Sequence, residues 1–317
     1  MTALNIAIAA EFELCEKLSE YLAQSDLNIN KLAIVEIIPF NEEQGVRFNN
    51  KAVAQLTTDE VDWSDFDYLL FAGHAQQAAH IANAAESGCI VIDMKGVTAN
   101  IAGVPVVVPT VNDEDIASIQ QRNIVAMPDP QVAQLALSLS PLIEQIQLDQ
   151  IVATSMLPAS YTDSETVSKL AGQTARLLNG IPLDENEQRL AFDVFPQSAV
   201  SLSQQWQKIF PATPVVFHSI QVPVFYGMAQ KVTALSAYEL DVDALRSQWQ
   251  ENALIQVEEK LITPVLNGEQ ESSEDNVKLH LSGLSAVENG LEFWSVADEQ
   301  RFNLACLAVK LLESMVK

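Results

Sequence analysis

The chain has 317 residues, 48% of them hydrophobic and 19% charged, with 17 Lys and Arg against 42 Asp and Glu and a formal net charge of −25. At roughly 150 residues per domain this length fits two domains, and so apolar a composition excludes intrinsic disorder. A surface this acidic repels nucleic acid and anionic lipid, so neither is an expected partner.

From residue 5 to residue 127 short apolar runs alternate with helix-like stretches. The runs fall at 5–9, 32–38, 68–72, 89–93, 104–108 and 123–126. Between them Leu14, Leu18, Tyr21 and Leu22 recur at helical spacing, as do Ala78, Ile81, Ala82 and Ala85. Strand, helix, strand at this pace predicts a buried parallel sheet with helical crossovers, a Rossmann-like doubly wound α/β domain. After Pro128 the pattern changes. Val132, Leu135, Leu139 and Ile143 predict an amphipathic helix, 151–154 a strand, and Val167, Leu170, Ala171, Ala175 and Leu178 a helix stopped by Gly180 and Pro182. Strands are predicted at 213–220, 223–226, 277–281 and 291–296, and a solvated acidic loop at 268–276. Strands spaced by longer helices predict an α+β second domain with a mixed, largely antiparallel sheet. Leu304, Leu307, Ala308, Leu311, Leu312 and Met315 line one face of a terminal helix that must pack on something, and the first domain is the expected place. The expected domains are residues 1–127 with 300–317, and residues 128–299.

No apolar run approaches the ~20 residues of a membrane span, and the first ten residues lack the basic start of a signal peptide, so a cytoplasmic protein is expected. Cys15, Cys89 and Cys306 are odd in number and far apart, which gives neither a disulfide framework nor a CxxC pair. The four histidines are scattered, and no metal site is expected.

Several phrases carry a resemblance. They are Cys89-Ile-Val-Ile-Asp93, Val107-Val-Pro-Thr-Val-Asn112, Ala171-Gly-Gln-Thr-Ala-Arg-Leu-Leu-Asn-Gly180, Val222-Pro-Val-Phe-Tyr-Gly227 and Glu292-Phe-Trp-Ser-Val-Ala-Asp298. In this order and over nearly the whole chain they resemble the aspartate-semialdehyde dehydrogenases, and the Usg-type paralogues of that family in particular. The resemblance implies a Rossmann-like NAD(P)-binding-type domain, a second domain that forms a homodimer, and NADP as the family cofactor. The family chemistry joins a semialdehyde and phosphate into an acyl phosphate. It needs a phosphate-binding loop, a thiolate nucleophile, a histidine acid/base and cations for the substrate.

Carried over residue by residue, those positions have changed. The family loop G-A-T-G-x-V-G follows the first strand; here Ala10, Glu13 and Glu16 take the three glycine positions. Side chains enter the space of a pyrophosphate, and Glu11, Glu13 and Glu16 bring charge of the wrong sign. At about 4 Å and an effective dielectric near 20, each repulsion is of order 4 kcal/mol. The same acids also suit a helix start, which is the plainer explanation for them. Around Pro39-Phe-Asn-Glu-Glu43 no base stands ready for a 2′-phosphate. In the family phrase P-N-C-S/T the cysteine is the nucleophile; here Pro128-Asp129-Pro130-Gln131 puts Pro130 in its place. In R-x-P-V-x-x-x-H the arginine becomes Gln221 and the histidine Met228. Met156 stands at the active-site glutamine and Ala99 at the phosphate-binding arginine.

Scaffold retained and chemistry replaced is the pattern of a pseudoenzyme with no cofactor expected, acting through binding or regulation, as a homodimer or with a protein partner. The alternative is an enzyme of altered chemistry on a small carboxylate or semialdehyde ligand in an interdomain cleft. Asp129, Glu11, Glu13, His218, Tyr226 and Lys95 are its candidate groups, among which no nucleophile–base pair is evident.

Overall fold

The computed structural model describes residues 3–41, 44–198, 201–271 and 277–317, and the chain divides into two compact units. Unit 1 is Met1–Ala133 with Gln204–Ile209 and Asn303–Lys317; unit 2 is Gln134–Ser203 with Phe210–Phe302.

Unit 1 runs β1 (Leu4–Ala9), α1 (Phe12–Gln24), β2 (Ile29–Glu36), a small hairpin of β3 (Arg47–Phe48) and β4 (Lys51–Ala52), β5 (Ala54–Thr57), β6 (Tyr68–Phe71), α2 (Ala78–Glu86), β7 (Ile90–Asp93) and β8 (Ile124–Ala126). Six strands form one sheet in the order β5-β2-β1-β6-β7-β8, every neighbour parallel. The chain winds outward from β1 and then returns to β1's other side, so the strand order reverses between β1 and β6. In doubly wound sheets that reversal opens a crevice at the carboxyl ends of the strands. Successive β1 residues Ile6, Ala7, Ile8 and Ala9 are all fully buried, as expected for a parallel sheet covered on both faces. The 104–108 run is not a strand. Pro105 lies within it and Pro109 follows it, Pro105 has no N–H to give a ladder, and only Val106 bridges to Ala126. The edge strand β5, with the polar sequence AQLT, was missed in the sequence.

The second part runs α3 (Pro130–Ile143), β9 (Gln150–Leu157), α4 (Ser164–Leu178), β10 (Phe195–Gln197), α5 (Leu202–Ile209), β11 (Val215–Gln221), β12 (Met228–Leu235), α6 (Val242–Glu251), β13 (Ile255–Val257), α7 (Pro264–Glu271), β14 (Leu279–Val287) and β15 (Gly290–Ala297). The sheet of unit 2 has the order β10-β11-β9-β12-β15-β14-β13 and is mixed: β11·β9 and β14·β13 are parallel, the other neighbours antiparallel. Asp163 caps α4 by accepting from the Thr166 amide at 2.7 Å, and Gly180 with φ +71° ends that segment.

Three expectations are corrected here. Residues 223–226 form no strand: Pro223 interrupts the ladder and Val224 turns back on the Val222 carbonyl at 2.8 Å, leaving the strand to begin at Met228. Within 268–276, Gly268 to Glu271 continue helix α7, and 272–276 lie outside the described residues. Helix α3 is not amphipathic, because Pro130 to Ser140 are buried without interruption. Its buried polar groups are neutral: Ser138 donates to the Gln134 carbonyl at 2.8 Å and Gln134 Nε2 to Ser295 Oγ at 2.8 Å, while Gln134 Oε1 is buried with no hydrogen-bond partner among the described residues. The terminal segment is a π-helical turn, Glu299–Cys306, continuing into α8 (Leu307–Val316), which packs against α1 within unit 1.

Candidate functional site

In unit 1 the turn from β1 to α1 is short. Ala10 is fully buried and Glu11 precedes the first helical residue, its carbonyl accepting from Leu14 and Cys15 at 3.1 and 3.0 Å. Cys15 donates its thiol to the Ala10 carbonyl at 3.5 Å. Burial pushes that thiol up to about 12, and the charges of Glu16, Glu11 and Glu36 push the same way. Four carboxylates with Glu13 therefore surround one helix start. Glu13 and Glu16 are exposed, and partial burial followed by the charges of Glu20 and Glu13 raises Glu16. Phe12 sets its ring edge-on to Phe40, 5.3 Å between centroids, over the end of β2. The turn thus carries a buried methyl at Ala10 and carboxylates at its rim, where a diphosphate would need to meet backbone amides. Glu42 and Glu43, beyond β2, lie outside the described residues.

Pro130 is the first residue of α3, where its missing N–H costs nothing. Asp129 holds that helix start, its carboxylate accepting from Gln131 at 2.9 Å and its amide donating to Gln205 Oε1 at 2.7 Å. Ala99 is fully buried in the turn after β7.

Three further positions lie at one end of the sheet of unit 2, Gln221 and Met228 on one face and Met156 on the other. Gln221 ends β11, Met156 lies on the neighbouring β9, and Met228 opens β12 beside it. Gln221 is buried, donating to the Leu157 carbonyl at 3.0 Å and accepting from Gln197 at 3.2 Å. Met228 is fully buried, and Met156 packs with Ala229, Ile262, Val296 and Trp294. A thioether and an amide exchange no proton near neutrality. His218 stands on the other face of β11, exposed between inward-facing Phe217 and Ser219, so it does not join Gln221.

The same sheet end carries a group missed in the sequence. Glu299 follows β15, whose Ala297 pairs with Met228. It is 1% exposed, accepts from the Ser160 hydroxyl and, at 3.1 Å, from the Gly227 amide. Gln300 Nε2 adds a bond to the Ser160 carbonyl at 3.3 Å. Burial, then the charge of Asp298, pushes Glu299 up to about 8, so it is protonated at neutral pH. Sealed from solvent, it positions the loop ending at Gly227 and offers no base to a ligand. Gly227 itself has φ +89°, and a Cβ there would come 2.9 Å from Pro264 Cβ. Among the described residues no three His, Cys, Asp or Glu side chains are grouped to hold a metal, and no helix is long and apolar enough to cross a membrane.

Residues 16–119 match the family model described as semialdehyde dehydrogenase, NAD binding domain. A USG-1 protein homolog of Haemophilus influenzae is 65% identical over 313 residues, covering 98% of this chain and 97% of that protein. An aspartate-semialdehyde dehydrogenase of Vibrio mimicus is 32% identical over 256 residues, 75% of this chain and 81% of that one. The crystal structure of aspartate semialdehyde dehydrogenase II from Vibrio cholerae superposes with a TM-score of 0.91 at 28% identity, covering 99% of each chain.

Proposed function

Because the chain belongs to the aspartate-semialdehyde dehydrogenase family, we propose that it is a catalytically silent member that has kept the fold and acts by binding. The observation that carries this reading is the pair Pro130 and Met228, both buried, at the positions where the family's nucleophile and acid/base are expected. Proline cannot add to a carbonyl, and methionine cannot relay the proton that a tetrahedral intermediate must lose. Gln221 removes the expected substrate cation, and the acidic β1–α1 turn argues against a bound NADP. The family likeness supports a homodimer formed through the second domain, residues 128–299, in the cytoplasm.

Two measurements test this. Purified protein assayed for phosphate-dependent, NADP-linked oxidation of a semialdehyde is expected to show no turnover above a heat-killed control. Thermal denaturation with NADP, NADPH or NAD is expected to match buffer alone, whereas a ligand at 100 times its dissociation constant would add about 2.7 kcal/mol. Turnover in the first assay, or a saturable shift in the second, refutes the reading.

A further inference from the structure

At the amino ends of three neighbouring strands, β1, β6 and β7, unit 1 holds a cavity of about 360 Å³. It lies at the opposite edge of the sheet from the crevice at the carboxyl ends, and none of the positions carried over from the family lines it. Its size falls within the range of small-molecule sites, roughly 300–1,000 Å³. The floor is apolar, with Leu4 and Phe66 buried and Ile90 half-buried. Gly88, at φ +90° just past α2, leaves one side open, since a Cβ there would meet nothing within 4 Å.

The polar groups around this floor share one property: they accept. Asp67 is a carboxylate, its Oδ2 taking the Asn5 amide at 2.7 Å. Ser64 donates its hydroxyl to Asp62 Oδ1 at 2.7 Å, and Ser87 donates its own to the Asn83 carbonyl at 2.8 Å. A carboxylate and a carbonyl can only accept, so both serine protons are committed and the two oxygens keep lone pairs for a ligand. Tyr68, whose phenol is raised by burial and then by the charge of Asp67, adds a hydroxyl that can donate or accept. Lys31 is held by its own partners, 3.1 Å from Asp65 Oδ2 and 4.5 Å from the centroid of the Phe66 ring. Asp67 forms no ion pair among the described residues.

Acceptors set around an apolar floor select a ligand that donates. A primary ammonium brings three N–H donors and a charge to meet Asp67, and hydrocarbon carried on it covers Leu4 and Phe66. An anion would bring lone pairs to lone pairs. We propose that this cavity binds a small primary ammonium with an apolar body, its charge against Asp67 and its N–H groups toward Ser64 and Ser87.

The test is a two-dimensional NMR titration of wild type and Asp67→Asn with 2-phenylethylammonium and with 2-phenylethanol, which puts a neutral hydroxyl in place of the ammonium. Physiological salt screens the diffuse attraction of a chain of net charge −25 for any cation. In wild type the amine is expected to give saturable shifts clustered at residues 4, 64–68 and 87–90, and the alcohol to bind at least ten-fold more weakly. Asp67→Asn keeps an oxygen for the Asn5 amide and loses the charge. It is expected to bind the amine at least ten-fold more weakly than wild type and the alcohol equally. Shifts that spread over the acidic surface without saturating, or an alcohol that binds as tightly as the amine, overturn the proposal. So does a folded Asp67→Asn that holds the amine unchanged. If Asp67→Asn does not fold, the comparison of amine with alcohol on wild type decides alone.

Discussion

Glu299 sets a measurable pH dependence. Its carboxyl titrates near the ordinary 4.5 when unfolded and at about 8 when folded. A raised folded value means that the native state holds a proton the unfolded state has lost. Glu299's contribution is therefore fully present below pH 4.5, declines as pH rises, and is gone above about 8. Within that window the slope is ~1.4 kcal/mol per pH unit, and the difference of 3.5 units between the two values sums to on the order of 5 kcal/mol. Glu299→Gln keeps an oxygen for the Gly227 amide and removes the proton. Urea unfolding of both proteins at pH 5, 6, 7 and 8 gives the assay, read as the difference between variant and wild type so that other carboxylates cancel. The variant is expected to gain on wild type steadily with pH, and a carbon NMR titration should place the wild-type carboxyl near 8. Parallel stability curves, or a carboxyl titrating near 4.5, would refute the burial argument.

Gly227→Ala is expected to destabilise the protein by about 2 kcal/mol or more, measured as a lower urea midpoint, since φ +89° and Pro264 both oppose a side chain there. Trp249 is fully buried and donates to the Ser138 carbonyl at 2.8 Å; Trp249→Ala should cost ~3–5 kcal/mol by the same assay. Burial pushes Cys15 and Cys89 up to about 12, so both should resist alkylation at pH 8 in native protein and react promptly in denaturant, as mass spectrometry would show. The half-exposed Lys231–Glu292 pair at 3.0 Å should matter little, with Lys231→Met shifting stability by under about 1 kcal/mol.

The parallel sheet was legible because its central strands are unbroken apolar runs, such as Ile-Ala-Ile-Ala ending at Ala9. Strand β12, Met228–Leu235, was not, since Gln230, Lys231 and Thr233 dilute its pattern and the neighbouring apolar run around Pro223 drew the assignment. The burial of α3 was hidden because Gln131, Gln134 and Ser138 look like a wet face until the surrounding groups that bond them are known. Glu299 gave no signal either: an acid at the start of a helix ordinarily eases the helix dipole in water, and only tertiary packing takes this one out of solvent. The cavity at the amino ends of β1, β6 and β7 was silent for a related reason, its lining coming from three stretches far apart in the chain. Positions aligned by family motif, by contrast, needed only the sequence to be named.

A helix with no wet side has no stable existence before its surroundings form. The stretch from Pro130 to Ser140 offers water several glutamines and serines in an unfolded chain and almost none of them in the native one, so its intermediate states gain little from forming early. Its amides should then exchange with deuterium only through the largest opening the molecule makes, as slowly as any in the protein. A protease should find no cut there until that opening occurs.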